Sequence, residues 1–198
     1  MKQELDELLC QRYPKIFKDR HGDMKETLMC WGFECGDGWY NIIDQLCANI
    51  QHHIDWREKQ RQWTITFNSK AAPEELKDIP EVVSQVVAVQ VKEKFGALRC
   101  YTDGGDEQIY GMIRMAESMS AVTCEECGAP GKQRGGGWIR TLCDTHEEQR
   151  QEQMRSREMK SSGFEVRECA DLFKLVHTDE QYARRIDKTI LKHFGLYE

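Results

Sequence analysis

The chain has 198 residues, 39% of them hydrophobic and 31% charged, with a formal net charge of −6 at pH 7. That length supports one domain or two small ones with a genuine core, and that balance excludes a disordered chain. The acidity argues against a surface built for general nucleic-acid binding, since attraction to phosphates shows as a basic patch or stripe and none is evident in the sequence.

Taken in chain order, Leu5, Leu8 and Leu9 put residues 2–10 in a short helix with one apolar side. Residues 11–40 hold Tyr13, Phe17, Trp31, Phe33, Trp39 and Tyr40 among Gly and Cys, and read as irregular structure. Ile42, Ile43, Leu46, Cys47, Ile50 and Ile54 then recur at helical spacing, the mark of one buried face. The run from Trp63 to Phe67 alternates apolar and polar residues and predicts a half-buried strand. Ala71 to Pro80 reads as a loop or short helix. Val86–Lys92 and Ala97–Tyr101 predict two strands that return antiparallel through a tight connection at Gly96. Together with 63–67 they would form a small sheet.

The stretch Asp103 to Asp106 breaks the chain and can cap a helix whose face is Ile109, Met112, Ile113, Ala116 and Met119. A charged helix is expected over residues 144–160, followed by a break at Ser161 to Gly163. In the tail, Leu172, Phe173 and Val176 precede Thr178 to Gln181, which matches a capping box. The last helix lines up Tyr182, Ile186, Ile190 and Phe194. That apolar line is expected to pack on the body, although a homo-oligomer interface would use the same residues.

No apolar run approaches the roughly 20 residues of a membrane helix. The opening residues lack the apolar core of a secretory signal, so the cytosol is the expected compartment. Nine cysteines in a reducing compartment call for metal or catalysis rather than disulfides. Cys10, Cys30, Cys47, Cys100 and Cys169 stand among apolar neighbours at no ligand spacing and read as core filling.

Four ligands stand out. Cys124 and Cys127, with Gly128 next, have the two-residue gap that lets two thiolates grip one ion. Cys143 and His146 repeat that gap fifteen residues on. Two such pairs predict one Zn2+ held by Cys124, Cys127, Cys143 and His146. Four protein ligands leave no position for water or substrate, so the ion is expected to be structural. Between the pairs, Gly135 to Gly137 and Trp138 to Leu142 read as the turn and returning strand of a hairpin. Knuckle, hairpin and helix-borne second pair make a treble-clef-like module. With no His between Gly128 and Cys143, a nuclease of that architecture is a poor reading.

Three blocks carry a resemblance: Tyr13 to Asp19 running on to Trp31–Trp39, Lys92 to Arg99, and Cys124 to His146 with its Gly-Trp-Ile-Arg-Thr-Leu core. Together, over residues 10–147, they resemble a group of uncharacterised zinc-binding proteins encoded by tailed phages and prophages. The resemblance implies a bacterial host cytosol and an accessory role such as counter-defence or host modulation. It transfers no catalytic residue.

Trp31 to Trp39 is the most unusual stretch. A catalytic reading makes Cys35 a nucleophile and Asp37 an acid, base or metal ligand, with His52 or His53 as the activating base. The plainer and favoured reading is a Gly-rich turn pinned by aromatics, with Asp37 bonding local amides. A ligand-binding reading stacks a nucleotide on Trp31, Trp39, Tyr40 or Trp56, with Lys92, Lys94 or Arg99 on phosphate. Aromatics at such positions more often form core.

The expected fold class is α+β, a small antiparallel sheet with several helices and an inserted zinc module. The expected organisation is an α/β body at 1–122, the zinc module at 123–160 and a C-terminal helical segment at 161–198. The expected function is binding of a host or phage macromolecule, with protein a better partner than nucleic acid for an acidic chain. Nucleotide sequestration and an enzyme centred on Cys35 and Asp37 are the alternatives.

Overall fold

A hairpin centres the fold. In the computed structural model, which describes residues 1–161 and their side chains through 157, β2 (Val87–Lys94) and β3 (Ala97–Asp103) pair antiparallel, with Lys94 opposite Ala97 and Val91 opposite Cys100. Phe95 and Gly96 connect them, both in the left-handed region, with φ of 55° and 76°. Two such residues make the mirror-image turn whose twist matches a hairpin. The third strand is β1 (Phe33–Glu34), which pairs parallel with β2 through Phe33 opposite Val91. The class is α+β, with a mixed sheet in the order β1-β2-β3.

Helix α1 (Gln3–Arg12) precedes β1, and α2 (Tyr40–Asn68) follows it. At 29 residues α2 runs about 43 Å. It absorbs residues 63–67, so the strand expected there is helix. The physical reason is local: Thr64 and Thr66 hydroxyls donate to the carbonyls of Gln60 and Gln62, one turn back. Trp63 and Phe67, four apart, stack with ring centroids 5.5 Å apart. Lys77 places its Nζ 4.5 Å and 4.4 Å from those two rings. An alternation over five residues also places its two end residues, Trp63 and Phe67, at i, i+4 on one helix face, and the helix begun by the strongly periodic first half extends through it.

Helix α3 (Glu107–Ser120) starts where expected, with the Asp106 carboxylate accepting from the Ile109 amide at 3.0 Å. It buries Ile109, Ile113 and Ala116, and its Ser120 hydroxyl accepts from the Leu98 amide at 2.8 Å, which ties the helix to β3. The core joins Leu9, Met29, Trp39, Ile43, Ile50, Val91, Leu98 and Ile109. Cys47 is buried there, while Cys10, Cys30 and Cys100 are half-buried. A second, two-stranded sheet pairs β4 (Lys132–Arg134) with β5 (Arg140–Leu142), and α4 (Asp144–Ser161) follows.

Met1–Gln149 form one compact unit. Cys169, the 178–181 capping box and the apolar line from Tyr182 to Phe194 lie outside the described residues. Among those described, no helix is long and apolar enough to cross a membrane.

Candidate metal centre

The site is built from two turns. After α3, the amide of Cys124 donates to the Ala129 carbonyl at 2.7 Å and that of Gly128 to the Cys124 carbonyl at 2.8 Å, folding 124–129 into a tight knuckle. Gly128 sits at φ 78°, a conformation side chains disfavour. The second pair arrives through β5: Cys143 directly follows the strand and His146 lies in the first turn of α4.

The four ligand atoms lie within 4.8 Å of one another. Cys127 Sγ is 3.9 Å from Cys143 Sγ, and His146 Nδ1 is 3.1 Å from Cys143 Sγ and 3.5 Å from Cys124 Sγ. A tetrahedron with Zn–S and Zn–N bonds of ordinary length has edges of about 3.8 Å between sulfurs and about 3.5 Å between sulfur and nitrogen. The cluster therefore fits a tetrahedral metal ion, bound by His146 through Nδ1. Cys124 is prepared for it. Burial opposes ionisation of that thiol, but the amides of Cys143, Cys127 and Glu126 aimed at its sulfur prevail and lower it from 9.0 to about 7.

The unusual Trp31–Trp39 stretch is the seat of this knuckle. The Gly38 amide donates to the Glu125 carbonyl at 2.8 Å, the Gly36 amide to Glu125 Oε1 at 3.1 Å, and the Trp39 indole to the Thr123 carbonyl at 2.8 Å. The approach is too close for side chains. A Cβ on Gly38 would meet the Cys124 carbonyl oxygen at 2.2 Å, and one on Gly36 the Glu125 oxygen at 2.2 Å. Glu125 is itself buried and takes Arg140 on its other oxygen at 3.0 Å. Arg140 reaches Glu126 as well, at 2.6 Å. No sequence signal gives Glu125 or Arg140 a role: Glu125 lies inside the first ligand pair and Arg140 in the stretch between the pairs.

Cys35 is buried, and burial above all pushes its thiol up to about 12, the opposite of an activated nucleophile. Asp37 accepts the Lys2 amide at 2.7 Å and pairs with its ammonium at 3.2 Å. Those contacts outweigh desolvation and hold its carboxyl below the usual value. The amide it binds is that of the residue just before α1 rather than one of its own turn. The Met1 nitrogen donates to the Phe33 and Cys35 carbonyls beside it.

His53 is buried and places Nε2 2.8 Å from Asp106, while His52 is exposed. Trp39 is fully buried and Tyr40 half-buried, whereas Trp31 and Trp56 are exposed. Trp39 thus has no free face on which a ring could stack. Arg99 lies 3.7 Å from Glu117 and donates to its own Leu98 carbonyl.

No family model matches the chain, and neither a curated protein nor a solved structure matches it.

Proposed function

We propose that this chain is a zinc-stabilised accessory protein of tailed phages or prophages, acting in the bacterial cytosol by binding a host or phage protein rather than by catalysis. The observation that carries the reading is the closed cage of four ligand atoms. Three thiolates and an imidazole suit Zn2+ among the common divalent ions, and a full protein shell leaves no open position for a reacting molecule. The arrangement of knuckle, hairpin and helix is treble-clef-like, with the ion joining the start of α4 to the knuckle. Its binding energy then serves as folding energy for 124–146.

Against an enzyme centred on Cys35 stand the burial and raised thiol of that residue. Against a nucleotide sponge stands the burial of Trp39.

Metal analysis of the purified chain tests the first half: one zinc per chain is expected, and none would end the reading. Affinity capture from bacterial lysate tests the second, with and without nuclease. A single protein retained after nuclease and lost on chelation is the expected result. Material released by nuclease would transfer the function to nucleic-acid binding.

A further inference from the structure

We propose that the tip where the β2–β3 turn meets the β4–β5 hairpin is the docking surface, with Phe95 and Trp138 as anchors for an acidic segment of the partner protein. The proposal rests on the protein-binding function above and names the surface through which it operates.

Phe95 holds the first central position of its turn at φ 55°, where Asn, Asp or Gly is the favoured residue. The residue is nevertheless 67% exposed. Neither backbone preference nor burial accounts for a phenyl ring there, and strained positions of this kind gather at functional sites. Trp138 is 69% exposed, and its indole N–H donates to Glu93 Oε2 at 3.0 Å, which fixes the ring beside the turn. Gln133 Nε2 donates to the Phe95 carbonyl at 3.4 Å, and the Thr141 hydroxyl to that of Gly96. Ile139, 40% exposed, crowds the same turn: its Cγ2 would lie 2.9 Å from a Cβ on Gly96. Two hairpins thus bring three apolar side chains to one tip and hold them there by bonds that leave the rings accessible.

The charges around the tip select the occupant. Lys94 Nζ lies 5.6 Å from the Phe95 ring centroid and Lys92 Nζ 5.8 Å from that of Tyr101. Lys94 thus stands beside the Phe95 anchor, where a carboxylate on the partner would give it an ionic contact, and Lys92, in register with Glu34, continues the basic charge along β2. An apolar centre with a charged rim is the anatomy of a protein interface, and Trp is among its commonest energetic anchors. A nucleic-acid strand needs a longer basic track. Here Glu34 faces Lys92 in the strand register and Glu93 holds Trp138.

The test is a random-peptide display selection against the zinc-loaded full chain, followed by titration of the selected peptides and of an oligothymidylate. Peptides with an aromatic or aliphatic anchor flanked by Asp or Glu are expected. Their affinity should fall about tenfold or more in Trp138→Ala and in Phe95→Asn. Lys92→Glu with Lys94→Glu should weaken them too. Phe95→Asn should keep or raise Tm, because Asn suits the turn, and that split separates an anchor from a structural residue. No enrichment, selected peptides without carboxylates, or binding indifferent to these substitutions would overturn the proposal. So would an oligothymidylate that binds more tightly than the peptides and is lost in Trp138→Ala. A protein captured from lysate equally by wild type and by Trp138→Ala would leave the binding function standing and remove this surface.

Discussion

The knuckle segment 124–146 and the outer half of α2, residues 55–68, are both short on core, yet they are held in opposite ways. In the knuckle segment, Cys124, Thr141 and Leu142 are fully or almost fully buried, and four ligand atoms converge within 4.8 Å. In the outer half of α2 only Thr64 is buried, while Trp56 and Trp63 are about half exposed. One region brings four side chains of ligand type to a single point. The other is fixed by repeated backbone bonds, by threonines that return to the preceding turn, and by Lys77 folded over two rings. Ligand spacing is therefore a sharp signal and side-chain alternation a soft one.

The largest effect should come from the first region. Cys143→Ser removes one ligand and leaves the other three unable to close the tetrahedron. Structural zinc sites contribute on the order of 10 kcal/mol to folding of their segment, so zinc content should drop to near zero. Amide hydrogen exchange across 124–146 should accelerate by orders of magnitude, with that across β2 and β3 far less affected. Equal acceleration in both would show that the knuckle and the sheet fold as one.

In the second region, Ile65→Pro removes an intrahelical bond and drives the ring into the carbonyl one turn back, at a cost of about 3 kcal/mol. A drop in the urea midpoint, with lost helical signal and zinc content unchanged, is expected. Unchanged helicity would mean that residues 63–67 are not helical in solution. Gly38→Ala disturbs the knuckle from its seat without replacing a ligand. Its Cβ would press on the Cys124 carbonyl at 2.2 Å and on the Gly128 and Cys127 amides at 2.4 Å and 2.7 Å, all of them backbone atoms. Overpacking of this sort costs about 1–3 kcal/mol, and zinc should pass to a chelator faster than in wild type. Gly111→Ala is the control, since nothing lies within 4 Å of the added carbon.

These contrasts explain what could be read in advance. The clustering of Cys124, Cys127, Cys143 and His146 was legible because thiolate and imidazole chemistry demands those spacings. The β2–β3 hairpin and the cap at Asp106 were legible because turn and cap preferences act over a few residues. The first half of α2 showed its face through Ile43, Leu46, Cys47 and Ile50. What escaped was non-local. Nothing in Trp31–Trp39 says that Gly36 and Gly38 receive the backbone of residues 124–128, nearly ninety positions on. The parallel pairing of Phe33 with Val91 rests on two residues, too few for any periodicity. The strand expected at 63–67 failed because five alternating residues also satisfy a helix once the neighbouring turns supply the bonds.

Asp106 separates a legible contact from an illegible one in a single side chain. Its Oδ1 accepts the Ile109 amide, the local cap, and its Oδ2 lies 2.8 Å from His53 Nε2, fifty-three residues away. An ionised carboxylate only accepts, so the imidazole carries a proton on Nε2. Partial burial acts to raise the carboxyl, but the bonds from His53 and from the Ile109 amide overcome it and hold the folded value below 3.8. A depressed value means stability that is present above the unfolded pKa and lost as pH falls through the folded one. Asp106→Ala should lose about 1 kcal/mol at pH 7 through the cap alone. Asp106→Asn keeps a good cap and loses the charge. Its urea midpoint should therefore trail wild type at pH 7 and converge on it as the pH drops below 4. A gap that stays constant with pH would show that the charge of Asp106 contributes nothing to its bonds with His53 and the Ile109 amide.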